Sequence, residues 1–160
     1  MKNPASGHVG PLERNTVKLL YEQQLPAHKS TLQQLAQEMR ILLEQQSLAP
    51  AIKYRVKSFE AYFDKLRKRN GHEGNARNVT VNDFFGLRIV CPFLEDIETV
   101  SSLIATRFEV LETERKANQH SFREFGYDSL HLAIRFETQQ AGRLIPGIRK
   151  VCEIQLRTIL

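Results

Sequence analysis

Three runs of this chain place apolar residues at every second position, and that period fixes most of what it can fold into. Leu87, Ile89 and Cys91 make the first run, Leu130, Leu132, Ile134 and Phe136 the second, and Cys152, Ile154 and Leu156 the third. Side chains alternate across a strand, so each run reads as a strand with one buried face. The intervening positions carry Arg88, then Tyr127, Ser129, His131 and Arg135, then Glu153, Gln155 and Arg157. A one-sided sheet open to water would also alternate. A solvated face usually shows Lys, Glu and Thr, however, and this one collects tyrosine, histidine, glutamine and one carboxylate amid arginines.

Helical spacing supplies the cover for the apolar face. Val17, Leu20 and Tyr21 predict a short helix ending at Pro26. Ser30-Thr-Leu-Gln33 has the form of a capping box before a second helix through about Ser47, with Leu32, Leu35, Met39, Leu42 and Leu43 inward. Ile52 to Val56 reads as a strand running into a helix capped by Ser58, whose stripe is Phe59, Tyr62, Phe63 and Leu66. Gly71 to Asn78 reads as a polar loop. Asp83 sits on one helical turn before the central strand Gly86 to Phe93, and a helix follows from about Asp96 to Arg107. Phe108 to Leu111 begins a further strand, Arg115 to Phe125 a long basic loop, and strands Tyr127 to Phe136 and Val151 to Thr158 close the domain. The pattern predicts an α+β domain: a mixed sheet of roughly five strands with helices mainly on one face.

Composition excludes several classes. A chain of 160 residues that is 41% hydrophobic has enough apolar material for one core. No apolar run is long enough to span a bilayer, and the first residues lack the apolar core of a signal peptide. Cys91 and Cys152 fall inside apolar strand runs and read as reduced core residues, which fits a cytoplasmic protein. The net charge of +5 favours an anionic partner. His8, His28, His72 and His120 show no metal-ligand spacing and read as surface residues.

The strand-to-helix junction at Lys57 and Ser58 suits an anion, because free amide N–H groups, the helix dipole, a hydroxyl and an ammonium converge there. Lys65 lies two turns along the same face and could reach the far end of a polyphosphate. Asp83 reads either as a helix cap or as the partner of Arg88 in a charged pair. With Glu153 on another strand it would also suit Mg²⁺, which takes few protein carboxylates and completes its shell with phosphate oxygens and water.

Four segments then resemble, in order and spacing, the motifs of the RelA/SpoT-type alarmone synthetase domain, and are closest to its small single-domain members. They are Arg55-Val-Lys-Ser58 with Lys65, Asp83-x-x-Gly86-x-Arg88, Gly126-Tyr-Asp-Ser-Leu-His131, and Glu153-Ile-Gln-Leu-Arg-Thr158. The resemblance implies a nucleotidyltransferase-like fold that moves the β,γ-pyrophosphate of ATP to the ribose 3′-hydroxyl of GDP or GTP, giving (p)ppGpp, with Mg²⁺ as cofactor. It implies that Arg55 and Arg88 sandwich adenine and that Lys57, Ser58 and Lys65 hold the ATP phosphates. Asp83 would ligand Mg²⁺, and Glu153 would take the 3′-hydroxyl proton or share the metal. Tyr127 would stack on the acceptor base, with Arg123, Ser129 and His131 on the acceptor side and His131 on its phosphates. Gln155 and Arg157 would support the site. The expected organisation is a flexible leader over 1–11 and one domain over 12–160, with N-terminal helices at 12–47, a catalytic core at 52–158, and without the further C-terminal helices usual in the family. A homo-oligomer is compatible with that family.

Two departures from the family pattern stand out, and the second bears on the acceptor. Ala61 stands where the family often has a second serine. Arg123 and Phe125 stand where guanosine-specific members carry Lys and Asn. The same chemistry on the 3′ end of tRNA or on an adenine nucleotide is therefore the alternative, permitted by the basic stretch Arg115 to Arg123. A non-catalytic RNA-binding module is a further alternative, opposed by Asp83 and Glu153, which would repel RNA phosphates without a metal between.

Overall fold

The computed structural model describes residues 13–73, 81–117, 128–137 and 148–159. The expected leader at 1–11, and Arg123, Phe125, Gly126, Tyr127 and His120, lie outside the described residues. The elements run α1 (Arg14–Glu44), β1 (Ala51–Val56), α2 (Phe59–Glu73), β2 (Phe85–Cys91), α3 (Leu94–Arg107), β3 (Glu109–Ala117), β4 (Asp128–Arg135) and β5 (Val151–Thr158). The five strands form one sheet in the order β1-β2-β5-β4-β3. β2 and β5 are parallel, and the other neighbours are antiparallel. The mixed five-stranded sheet of the α+β expectation is present.

The expected pair of N-terminal helices is one helix, with Pro26 inside it. Proline removes one backbone hydrogen bond and costs about 3 kcal/mol in a helix interior. The apolar stripe nevertheless continues unbroken across it. Val17, Tyr21, His28, Leu32, Leu35, Met39 and Leu43 are buried at three-, four- or seven-residue steps, and Leu25 packs against the core between them. Burial on both sides of the proline outweighs the lost bond, so Ser30 lies mid-helix rather than at a cap. Gly71 to Glu73, expected in a loop, belong to α2, and the rest of that expected loop, to Asn78, lies outside the described residues. Arg115 and Lys116, expected in a loop, belong to β3. Asn82 and Asp83 form a turn, not a helical turn, ahead of β2. The helix expected from Asp96 starts two residues earlier, and the Asp96 carboxylate accepts from the Phe93 N–H at 3.2 Å.

Leu87, Ile89, Cys91, Leu130, Leu132, Ile134, Cys152, Ile154 and Leu156 are buried together, with α1 and α3 lying over them. Both cysteines are free and buried. Among the described residues no helix is long and apolar enough to cross a membrane. Beside the sheet, Tyr21, Phe59, Tyr62, Phe84, Phe85 and Phe136 make an aromatic cluster with ring centroids 5.0–6.5 Å apart. It joins α1 and α2 to the start of β2.

His28, expected at the surface, is buried edge-on against Phe84 and Phe85, with no hydrogen-bond partner for Nδ1 among the described residues. Burial lowers its pKa below the ordinary histidine value. The unfolded chain therefore takes up the proton first, and stability present above about pH 6.5 falls as pH drops towards the folded value. His28→Leu removes both the unsatisfied nitrogen and this dependence. We expect it to be more stable by roughly 1 kcal/mol at neutral pH. Its margin over the parent chain should widen between pH 7 and pH 5, which thermal melts at stepped pH would check.

Candidate active site

Strand register carries the polar residues into two rows across one sheet face. One row is Arg55, Gly86, Glu153, Ala133 and Glu112, and the next is Lys53, Arg88, Gln155, His131 and Glu114. Residues paired across strands share a face, so these side chains stand on the side opposite the helices. The β1 end of the rows is cationic, the β3 end acidic, and Glu153 lies between.

Over the β1–β2–β5 part of this face lies a cleft of about 310 Å³. Lys53, Arg55, Asp83, Gly86, Arg88, Glu153 and Gln155 are among its lining residues. The two acids expected to meet do line one cleft. Gly86 lies between Arg55 and Glu153 and leaves the floor open. A β-carbon there would be 3.5 Å from the Arg55 carbonyl, an ordinary contact, so backbone packing does not itself require glycine.

Asp83 enters from the turn before β2, and its partners differ from the expected Arg88. Lys57 Nζ and Lys65 Nζ donate to its Oδ2 at 2.9 and 2.7 Å. Arg88 instead donates to Gln155 Oε1 at 3.4 Å. Burial pushes the Asp83 pKa up, but the two lysine hydrogen bonds and charges together outweigh it and leave the carboxyl below its ordinary value. Asp83 Oδ1 is buried and accepts no hydrogen bond among the described residues.

Lys57 is fixed by its backbone. Its N–H donates to the Phe84 carbonyl at 2.8 Å, and its carbonyl accepts the Tyr21 hydroxyl at 2.8 Å. α1 thus sets the β1–α2 junction although it brings no side chain to the cleft. Ser58 caps α2 as expected, its Oγ accepting the Ala61 N–H at 3.4 Å. It does not line the cleft. Lys65, seven residues and two helical turns beyond Ser58, reaches the same carboxylate oxygen.

On the other flank, Glu153 Oε1 accepts from Gln155 Nε2 at 3.3 Å and lies 3.2 Å from His131 Nδ1. His131 Nε2 is 3.2 Å from the Ser129 hydroxyl, and Ser129 is buried. Burial lowers the His131 pKa, with the Glu153 charge pulling the other way and not prevailing. Arg157 follows Gln155 at the next same-side position of β5. Tyr127 and Arg123 lie outside the described residues. Lys53 was missed by sequence reasoning, although the two-residue step back from Arg55 along β1 would have found it.

The site therefore sets five cations, Lys53, Arg55, Lys57, Lys65 and Arg88, around two carboxylates. Its sequence matches the family described as the region found in RelA / SpoT proteins over residues 54–160. GTP pyrophosphokinase YwaC of Bacillus subtilis (strain 168) is 33% identical over 109 residues, 67% of this chain and 50% of that protein. The chain spans about half the length of the curated relatives it matches. Among solved structures, small alarmone synthetase 2 from Bacillus subtilis is 26% identical with a TM-score of 0.65, covering 87% of this chain and 72% of that one. Small alarmone synthetase 1 from the same organism, bound to its product pppGpp, is also 26% identical, with a TM-score of 0.62 over 87% of this chain and 74% of that one. With two thirds of the chain matched and the fold shared, the chain belongs to the RelA/SpoT family.

Proposed function

We propose that the chain transfers the β,γ-pyrophosphate of ATP to the ribose 3′-hydroxyl of GDP or GTP, releasing AMP and forming (p)ppGpp. The observation that carries this reading is a cleft lined by Asp83 and Glu153 together with Lys53, Arg55 and Arg88, with Lys57 and Lys65 paired to the Asp83 carboxylate. A triphosphate needs that excess of positive charge, and an alcohol nucleophile needs a carboxylate beside it. The names of the relatives, GTP pyrophosphokinase and a synthetase bound to pppGpp, support the same reading.

In this reading Arg55 and Arg88 hold the adenine by their guanidinium planes. Lys57 and Lys65 neutralise the transferring phosphates. The 3′-oxygen bonds to the β-phosphorus, the bond from that phosphorus to the α-phosphate oxygen breaks, and Glu153 takes the hydroxyl proton. Tyr127 and Arg123 serve the acceptor, with Ser58 and Arg157 supporting. Asp83, with a buried oxygen that has no donor among the described residues, fits a divalent cation; Mg²⁺ there would supply charge neutralisation at the β- and γ-phosphates.

The test is to offer GDP, GTP, ADP and tRNA side by side with labelled ATP and Mg²⁺. The expected products are a guanosine 3′-pyrophosphate and AMP in equal amounts. Transfer to tRNA or ADP alone would keep the chemistry and replace the acceptor. No transfer from folded protein to any acceptor would defeat the proposal.

Lys53 extends the cation set and gives a prediction with opposite signs. It faces Arg88 directly across β1–β2, and like charges so placed are destabilising by about 0.2–1 kcal/mol. Lys53→Thr should raise the melting temperature slightly and raise the KM for ATP about two- to fivefold, as loss of one exposed charged contact allows. Unchanged KM would place Lys53 outside donor binding.

A further inference from the structure

Glu153 is held from two neighbouring directions, and every hydrogen bond described to its carboxylate falls on one oxygen. Gln155 Nε2, fixed in orientation because Oε1 of the same amide accepts from Arg88, donates to Oε1 of Glu153 at 3.3 Å. His131 Nδ1 stands 3.2 Å from that same oxygen. A carboxylate oxygen can only accept, so Nδ1 carries the proton. In the neutral ring Nε2 then holds a lone pair, and the Ser129 hydroxyl 3.2 Å away is its donor. Ser129 is 8% exposed and the His131 side chain 16%, so water competes little for these bonds. Both ring nitrogens are thus engaged inside the protein, which leaves His131 no free donor for an acceptor phosphate, the role the family resemblance implied for it.

We propose that His131, its tautomer set by Ser129, is a positioning residue that clamps Glu153 by Oε1 and so aims Oε2 at the acceptor hydroxyl. This rests on the reading of Glu153 as the proton acceptor. In the transfer step the 3′-hydroxyl proton goes to Oε2 as the oxygen–phosphorus bond forms. His131 keeps its own proton throughout, so the ring orients and does not relay.

Steady-state kinetics on the full chain separate orienting from binding. We expect His131→Ala to lower kcat roughly 10–100-fold, with the KM values for ATP and the acceptor nucleotide within about threefold of the parent. His131→Asn can place an amide N–H near the position of Nδ1 and should recover activity to within about fivefold. In the Glu153→Gln background His131→Ala should cause no further loss. Ser129→Ala, a smaller change, should lower kcat severalfold at unchanged KM, and it carries the test if His131→Ala does not fold.

An independent readout is the ¹⁵N spectrum of the His131 ring in the nucleotide-free protein. It should report the Nδ1–H tautomer, and Glu153→Ala or Ser129→Ala should shift it towards a mixture. A His131→Ala variant with unchanged kcat and a tenfold higher acceptor KM would overturn the proposal. So would an Nε2–H tautomer in the parent chain. Absence of any transfer by the parent, with the Nδ1–H tautomer present, would instead defeat the proposed reaction and leave the clamp standing.

Discussion

Glu153→Gln is expected to lower kcat by about 10²–10⁴-fold while ATP binding stays intact or tightens severalfold. The substitution keeps the shape and size of the side chain, and its amide oxygen can still accept from His131 Nδ1 and Gln155 Nε2. What it removes is the capacity to take a proton and one negative charge beside the phosphates. The first loss acts on the transition state alone. The second relieves a repulsion that the bound triphosphate would otherwise meet, so affinity does not fall. Titration with a non-hydrolysable ATP analogue measures binding, and single-turnover AMP release measures chemistry. Unchanged turnover would remove Glu153 from the mechanism, and lost binding at unchanged turnover would make it a ligand-holding residue only.

How much of this could be read from the chain alone depends on the range of the interaction. β5 begins and ends where its two-residue period does, and β1 is longer than expected by one residue, because alternation is local. The Ser58 cap is equally local. Pro26 is different: its local cost is real, and only the aromatic and apolar surface beneath α1 overrides it. The partners of Asp83 were misassigned for a related reason. Arg88 is nearer in sequence, but it projects from the strand towards Gln155, 67 positions away, while α2 brings Lys65 over the turn. The line from Arg88 through Gln155 and Glu153 to His131 and Ser129 depends on the parallel register of β2 with β5 and the antiparallel register of β5 with β4. No pattern inside a single strand encodes that register. Residue types announced the chemistry, and pairing between distant strands decided which atoms meet.

Asp83→Asn should be almost as damaging to turnover as the change at Glu153, for a reason visible in stability as well. The carboxylate is the shared partner of Lys57 and Lys65, and the Lys57 side chain is only 15% exposed. An asparagine oxygen can accept one of those hydrogen bonds but offsets neither charge. Two ammonium groups are then left close together, which we expect to cost about 1–2 kcal/mol of folding stability. The pH dependence has a definite sign. The Asp83 pKa lies below its ordinary value because the lysines overcome the burial penalty, so its contribution is full above about pH 4 and is lost as pH falls through the folded value. The stability gap between parent and variant should therefore close on acidification. Turnover should fall about 10²–10³-fold, the rate equivalent of several kcal/mol of metal-assisted charge neutralisation. The Mg²⁺ concentration for half-maximal rate should rise at least about tenfold, since Oδ1 would become part of a neutral amide. If the Mg²⁺ requirement is unmoved while stability drops as expected, Asp83 is a counter-ion that organises the lysines and holds no metal.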